Sequence, residues 1–212
     1  MAMVEENVFL FVPNLIGYAR VGLTLLSMYF MQSSPGPAIW CYLIGSLLDA
    51  VDGHAARFFN QSTKFGAMLD QLTDRCGTAV LMMMLAVFYP SYAFFFQISM
   101  ATDISMHWLH LHTSLLQGKG SHKTMSTEEP YLLQIYYTSK PVLFTMCAGN
   151  ELFYITMYLV NFYDSFFWKF LAFICFPIAV AKWLMAILQG VTAAKNLAAL
   201  DAAEREAEIK IK

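Results

Sequence analysis

Apolar residues fall into six long runs separated by short polar or turn-forming breaks. The runs cover residues 15–31, 38–58, 66–89, 92–116, 141–162 and 166–188. Each is close to the roughly 20 residues a helix needs to cross a bilayer. The breaks carry turn chemistry: Ser33-Ser34-Pro35-Gly36-Pro37, Tyr89-Pro90-Ser91, Gly118-Lys119-Gly120-Ser121 and Asn161-Phe162-Tyr163-Asp164. An earlier apolar piece, residues 8–12, is too short to span and is followed by Pro13-Asn14. It predicts a segment that lies at the interface and then turns into the first span. From Asp201 onward the chain is charged and helix-forming, Glu204-Arg205-Glu206 through Lys212, as in a solvated tail. The pattern predicts an all-α integral membrane bundle of six transmembrane helices, preceded by a short interfacial N-terminal segment. The membrane domain would cover residues 1–198, and the charged cytosolic tail residues 199–212.

Composition sharpens this reading. The 212 residues are 58% hydrophobic and 13% charged, with mean hydropathy +0.51, whereas soluble domains carry about 25% charged residues. A net charge of −2 excludes a general basic field for nucleic acid. Cys41, Cys76, Cys147 and Cys175 are scattered through apolar runs, as small buried hydrophobes rather than a disulfide framework. Glu5 and Glu6 precede the first apolar piece, so the start lacks the basic region of a signal peptide.

Charge placement sets a direction. Connections one, three and five contain no Lys or Arg, while Arg57, Lys64, Arg75, Lys119, Lys123, Lys140, Lys195, Arg205, Lys210 and Lys212 gather on the other side. The even connections and both termini are therefore expected in the cytosol. Lys169 stands against the pattern, and Lys182 sits inside the sixth run.

Four aspartates interrupt the second and third runs where lipid should forbid them. Asp49 and Asp52 open the pattern D-x-x-D-G-x-x-A-R, completed by Gly53, Ala56 and Arg57; after eight intervening residues Gly66, Asp70 and Asp74 give G-x-x-x-D-x-x-x-D. A carboxylate inside a span is costly unless it is paired, metal-bound or wetted. Residues three or four apart share a helix face, so Asp49, Asp52 and Ala56 form one stripe, and Gly66, Asp70 and Asp74 another. The short link makes the two helices neighbours. Four converging carboxylates repel one another unless cations neutralise them. Oxygen-only ligands suit Mg2+ or Mn2+, and two ions fit four carboxylates. Such a pair suits displacement at phosphorus. Gly53, Ala56 and Gly66 clear space beside the carboxylates, or else serve close helix packing. A cation or proton transporter could use the same acids, yet the chain shows no repeat and its aspartates lie near one face.

This double pattern resembles the signature of the CDP-alcohol phosphotransferases, membrane enzymes with six spanning helices. Pro13-Asn14-Leu15-Ile16-Gly17-Tyr18-Ala19-Arg20 is similar to the family's first-helix motif. Further likeness to eukaryotic members runs through residues 71–76, 107–112 and 147–154. The resemblance implies transfer of phosphatidyl from CDP-diacylglycerol to myo-inositol with release of CMP, and other alcohol acceptors as the runner-up. It implies that Asp49, Asp52, Asp70 and Asp74 ligate Mg2+ or Mn2+, and that Asp74 is also the general base. Gly53, Ala56 and Gly66 would line the nucleotide pocket, with Arg57 neutralising carboxylate or phosphate charge nearby and Asn14 and Arg20 at the pocket's border. A homodimer in the endoplasmic reticulum membrane is implied as well. Asp74 lies about 12 Å along the helix from Gly66 at 1.5 Å per residue, so a wet cavity must reach it from the cytosol.

Other polar groups in apolar runs allow two readings. Asp103 and His107 are four apart, with His110 and His112 beyond; hydrogen-bonded packing is favoured over zinc, because an H-x-H pair on a helix splays its rings. Lys140 either anchors at the interface beside Tyr136 and Tyr137 or reaches phosphate or inositol. Asn150 and Glu151 are expected to find polar partners inside the bundle, and most aromatic residues to face lipid.

Overall fold

The computed structural model describes residues 7–117 and 130–211. The expected break at 118–121, Lys119, Lys123, Lys212, Glu5 and Glu6 lie outside the described residues. The described residues form helices and no strand: α1 (Val12–Phe30), α2 (Pro35–Phe58), α3 (Lys64–Phe88), α4 (Ala93–Leu116), α5 (Tyr131–Thr138), α6 (Lys140–Phe162) and α7 (Phe166–Ile211). Short 3-10 turns, Val8–Leu10 and Pro90–Tyr92, precede α1 and α4. The six long helices follow the six apolar runs. Prolines in the first turn start α1, α2 and α6, where the missing N–H has no helical partner to lose.

The chain divides into two compact units, one ending at Phe88 and the other beginning at Tyr89. In the first, α1 packs along α2 and also against α3, while α2 and α3 touch each other sparingly. The expected neighbours thus have α1 wedged between them. The buried face of α1 carries Asn14, Gly17, Arg20 and Ser27, and its exposed face carries Leu25, Leu26 and Tyr29. Polar and small groups inside, large apolar ones outside, is the arrangement of helices packed in lipid. The Ser27 hydroxyl donates to the Ala38 carbonyl at 2.9 Å, tying α1 to the start of α2.

In the second unit α7 runs against α4 and α6, and α5 packs against α6 and α7. Several aromatics expected to face lipid form the core instead: Phe96, Tyr136, Phe153, Tyr154 and Tyr158 are at most 5% exposed. The short α5 was not legible in the apolar pattern, because eight residues are too few to register as a run. It is anchored by Leu133 and Tyr136. The buried Lys182 ammonium on α7 donates to the Tyr136 hydroxyl at 2.6 Å, and Cys147 on α6 lies 3.6 Å from that hydroxyl. Asp103 and His107 bond within one helical turn, Nδ1 to the Asp103 carbonyl at 2.8 Å and to its Oδ1 at 3.4 Å. Lys169 bonds the exposed Asp164 across the turn into α7, holding that carboxyl below its ordinary range. All four cysteines are free thiols.

Among the described residues two helices, Lys140–Phe162 and Phe166–Lys210, are long and apolar enough to cross a membrane, against the six spans expected. The other long helices have the length, but polar groups dilute their hydropathy: Asn14 and Arg20, the aspartates of α2 and α3, and the histidines of α4. The 46-residue α7 would measure about 69 Å at 1.5 Å per residue. It passes through residue 199 without a break and ends with residues 201–210 fully exposed, so the charged tail is a continuation of the last helix.

Packing between α6 and α7 yields a stability prediction. A Cβ on Gly149 would lie 2.7 Å from Ile178 Cγ2 and 3.2 Å from its Cβ. The branched Ile178 cannot rotate that Cβ away, so crowding outweighs the helix propensity alanine gains. Gly149→Ala is expected to destabilise the protein by about 1–3 kcal/mol, read as a lower melting temperature in detergent. An unchanged melt would show that α7 shifts freely.

Candidate active site

The four aspartates converge on a single side chain, Arg20 of α1. Its Nη1 lies 2.6 Å from Asp52 Oδ2 and 2.7 Å from Asp70 Oδ1. Its Nη2 lies 2.7 Å from Asp49 Oδ1 and 2.5 Å from Asp74 Oδ1. Each terminal nitrogen therefore joins one carboxylate of α2 to one of α3. The guanidinium's planar fork suits this double clasp, and a lysine's point charge would not. Arg20 is 2% exposed, whereas the side chains of Asp49, Asp70 and Asp74 are 42%, 43% and 38% exposed. Its Nε is buried without a hydrogen-bond partner. The sequence put Arg20 at the border of a pocket; the structure puts it among the carboxylates. The i, i+3 and i, i+4 spacing that aligns the aspartates carries no information about which α1 residue meets them.

One guanidinium cancels one of the four negative charges. Oxygens of Asp49, Asp70 and Asp74 come within 4.8 Å of one another, each on a carboxylate open on one side. Hard, oxygen-only, excess negative and accessible, this donor set fits a divalent cation of the Mg2+ or Mn2+ type.

Beside the carboxylates lies a pocket of about 180 Å³ lined by Asn14, Asp52, Gly53, Ala56, Arg57, Gly66 and Asp70, among others. All the expected nucleotide-side residues are therefore together, with Arg20 behind them. Lys140 is exposed at the first position of α6 in the second unit and is not among the pocket's lining residues.

The wall facing Gly66 comes from the α2–α3 connection, which the sequence reading passed over. Asn60 sits at φ 54°, the left-handed conformation asparagine tolerates better than most residues. Gln61 N–H donates to the Ala56 carbonyl at 2.9 Å and Asn60 N–H to the Arg57 carbonyl at 3.4 Å. These are the paired bonds of a Schellman ending. The turn delivers Gln61, Ser62 and Thr63 to the pocket. Thr63 Oγ1 then accepts the Gly66 N–H at 3.0 Å, capping α3. Gln61 Oε1 accepts the Val12 N–H at 3.0 Å, and Asn14 Nδ2 donates to the Val8 carbonyl at 2.6 Å. The first bond fixes the start of α1 on this wall, and the second ties Asn14 to the turn that precedes α1. The polar run Asn60-Gln61-Ser62-Thr63 between two apolar segments was the available signal.

The site is thus a carboxylate-lined pocket built on α1, α2 and α3. Residues 10–158 match the family model described as CDP-alcohol phosphatidyltransferase, and the chain belongs to that family. It is 52% identical over 209 residues to the human CDP-diacylglycerol--inositol 3-phosphatidyltransferase, covering 96% of this chain and 98% of that protein. Proteins of the same name from Drosophila melanogaster and Saccharomyces cerevisiae are 49% and 45% identical, covering 95% and 93% of this chain and 91% and 90% of theirs. No solved structure matches the chain.

Proposed function

We infer that this chain is a membrane transferase that moves phosphatidyl from CDP-diacylglycerol to myo-inositol, giving phosphatidylinositol and CMP. The observation that carries the reading is the near full-length likeness to proteins of that name, joined to an acid cluster beside a pocket. The six long helices span the bilayer, with the site opening toward the cytosol. Lys and Arg gathered on that side support the orientation.

Asp49, Asp52, Asp70 and Asp74 would hold Mg2+ or Mn2+, with Asp74 contributing to the second of two sites. When bound, such ions polarise the diphosphate and stabilise charge on the leaving oxygen. The chain's own residues do the rest. Gly53, Ala56 and Gly66 leave room for the nucleotide to lie against backbone, and Arg57 neutralises phosphate charge at the pocket rim. Asn14 shapes the wall opposite Gly66. Asp74 takes the proton of an inositol hydroxyl as its oxygen bonds to the β-phosphorus. The bond from that phosphorus to the bridging oxygen breaks, and its electron pair leaves with CMP. Lys140 is proposed as a contact for phosphate or inositol, and the enzyme as a homodimer, both on resemblance.

CMP release by the purified protein with CDP-diacylglycerol and Mg2+ tests this, run with myo-inositol, serine, glycerol 3-phosphate or no acceptor. Release with myo-inositol alone is expected. Release with another alcohol would keep the chemistry and replace the acceptor. Absence of release with every acceptor would overturn the transferase reading.

Gly66 offers a narrower test. A Cβ there would lie 2.8 Å from Asn14 Oδ1 and 3.2 Å from Thr63 Oγ1, and Asn14 is held by its bond to Val8. Gly66→Ala is expected to cost about 1–3 kcal/mol of fit at this wall, seen as at least tenfold weaker CDP binding by calorimetry. Undiminished binding would remove this wall from the nucleotide site.

A further inference from the structure

The second unit has a small polar cavity of its own. It measures about 10 Å³ and lies among α4, α5 and α7, lined by His110, Thr113, Ser114, Leu133, Gln189 and Asn196, among others. Among the described residues its wall carries no Asp, Glu, Lys or Arg, so the site suits a neutral molecule that both donates and accepts hydrogen bonds. We propose that a single tightly held water molecule occupies this cavity and joins α4 to α7 through Ser114 and Gln189. One water needs about 10–15 Å³, which this cavity just supplies; a larger polar solute does not fit.

Two side chains carry the inference. Ser114 and Gln189 are 4% and 3% exposed, and among the described residues neither side chain has a hydrogen-bond partner. Hydroxyls on neighbouring turns bond back to the carbonyl one turn earlier, Thr113 to Leu109 and Thr192 to Leu188, both at 2.9 Å. Ser114 does not, which leaves its hydroxyl for the cavity. Gln189 brings an amide with donors and an acceptor, and Ser114 brings one hydroxyl that does either. Burial without a partner costs both groups their solvation, and one water between them restores a bond to each. The only direct tie described between α4 and α7 at this wall is long, Thr113 Oγ1 to the Ala193 carbonyl at 3.3 Å. Leu133, 1% exposed, gives the cavity an apolar side on α5.

X-ray radiolysis of the full chain in detergent tests this, because a bound water yields hydroxyl radicals that oxidise the side chains beside it. Oxidation is read residue by residue by mass spectrometry. Leu133 is expected to be oxidised at least about threefold faster than the equally buried Leu81 and Leu85. Gln189→Leu is expected to bring Leu133 down to their rate while leaving Tyr136, also on α5, unchanged. A Leu133 in the parent that reacts no faster than Leu81 would show a dry cavity and overturn the proposal. A matching change at Tyr136 would mean that α5 has loosened, and would overturn it too. Thermal melts give a second reading that needs no radicals. Ser114→Ala and Gln189→Leu are each expected to melt about 2–4 °C lower, since each leaves the other group unpartnered. The double variant is expected to melt no lower than the weaker single one, because both partners are then gone. Losses that simply add would show that the two side chains share nothing.

Discussion

Asp74→Asn is expected to release CMP at least a thousandfold more slowly than the parent protein while keeping its fold. Asparagine matches the shape of aspartate and can still meet Arg20, so the helices should remain assembled. It cannot accept a proton, and it is a poor ligand for a hard cation. Loss of a general base alone costs about 10²–10⁴ in rate, and loss of a metal ligand adds to that. The separation of roles comes from CDP binding, which is proposed for the pocket around Gly53, Ala56 and Gly66 and should fall much less than turnover. Calorimetry with CDP and single-turnover CMP release give the two numbers. Near-parental turnover in Asp74→Asn would strip Asp74 of the base role.

The second large effect concerns Asp70. It faces both the pocket and Arg20, and its side chain is 43% exposed. Asp70→Asn should shift the Mg2+ concentration for half-maximal activity upward by at least tenfold and lower the maximum. Asp52, with only 10% of its side chain exposed, should respond differently. Asp52→Asn removes a shielded partner of Arg20, and its loss should show as destabilisation of the metal-free protein as well. Titrating activity with Mg2+ for both variants, alongside thermal melts in chelator, distinguishes the two positions. An Asp70→Asn protein with an unaltered Mg2+ titration would rule out the ligand role of that residue.

The helices and acid stripes were legible because each depends on local spacing. Apolar runs of helix length, prolines at first turns and carboxylates three or four apart are properties of neighbours in sequence. Position between helices is not local, and there the reading fell short. Nothing in residues 12–30 announces that Arg20, rather than Asn14, ends among the carboxylates. The α5 helix escaped because eight residues make no long run, and its Tyr136 meets Lys182, forty-six positions further along the chain. The pocket wall at 61–63 was readable in principle as a polar turn. Its approach to Gly66 depends on the left-handed backbone at Asn60, and propensity alone does not place that single residue. Aromatics expected at the lipid surface fill the second unit's core, since phenylalanine and tyrosine suit either environment.

The wedge of α1 between the acidic helices has a consequence for how the chain is made. Synthesis runs from the N-terminus, so the arginine is already present when each aspartate-bearing helix leaves the ribosome. On the proposed six-span topology, neither pair of acids would enter lipid before its countercharge has been made. All the parts of the carboxylate cluster exist once residue 88 has emerged, before any of the second unit has been translated.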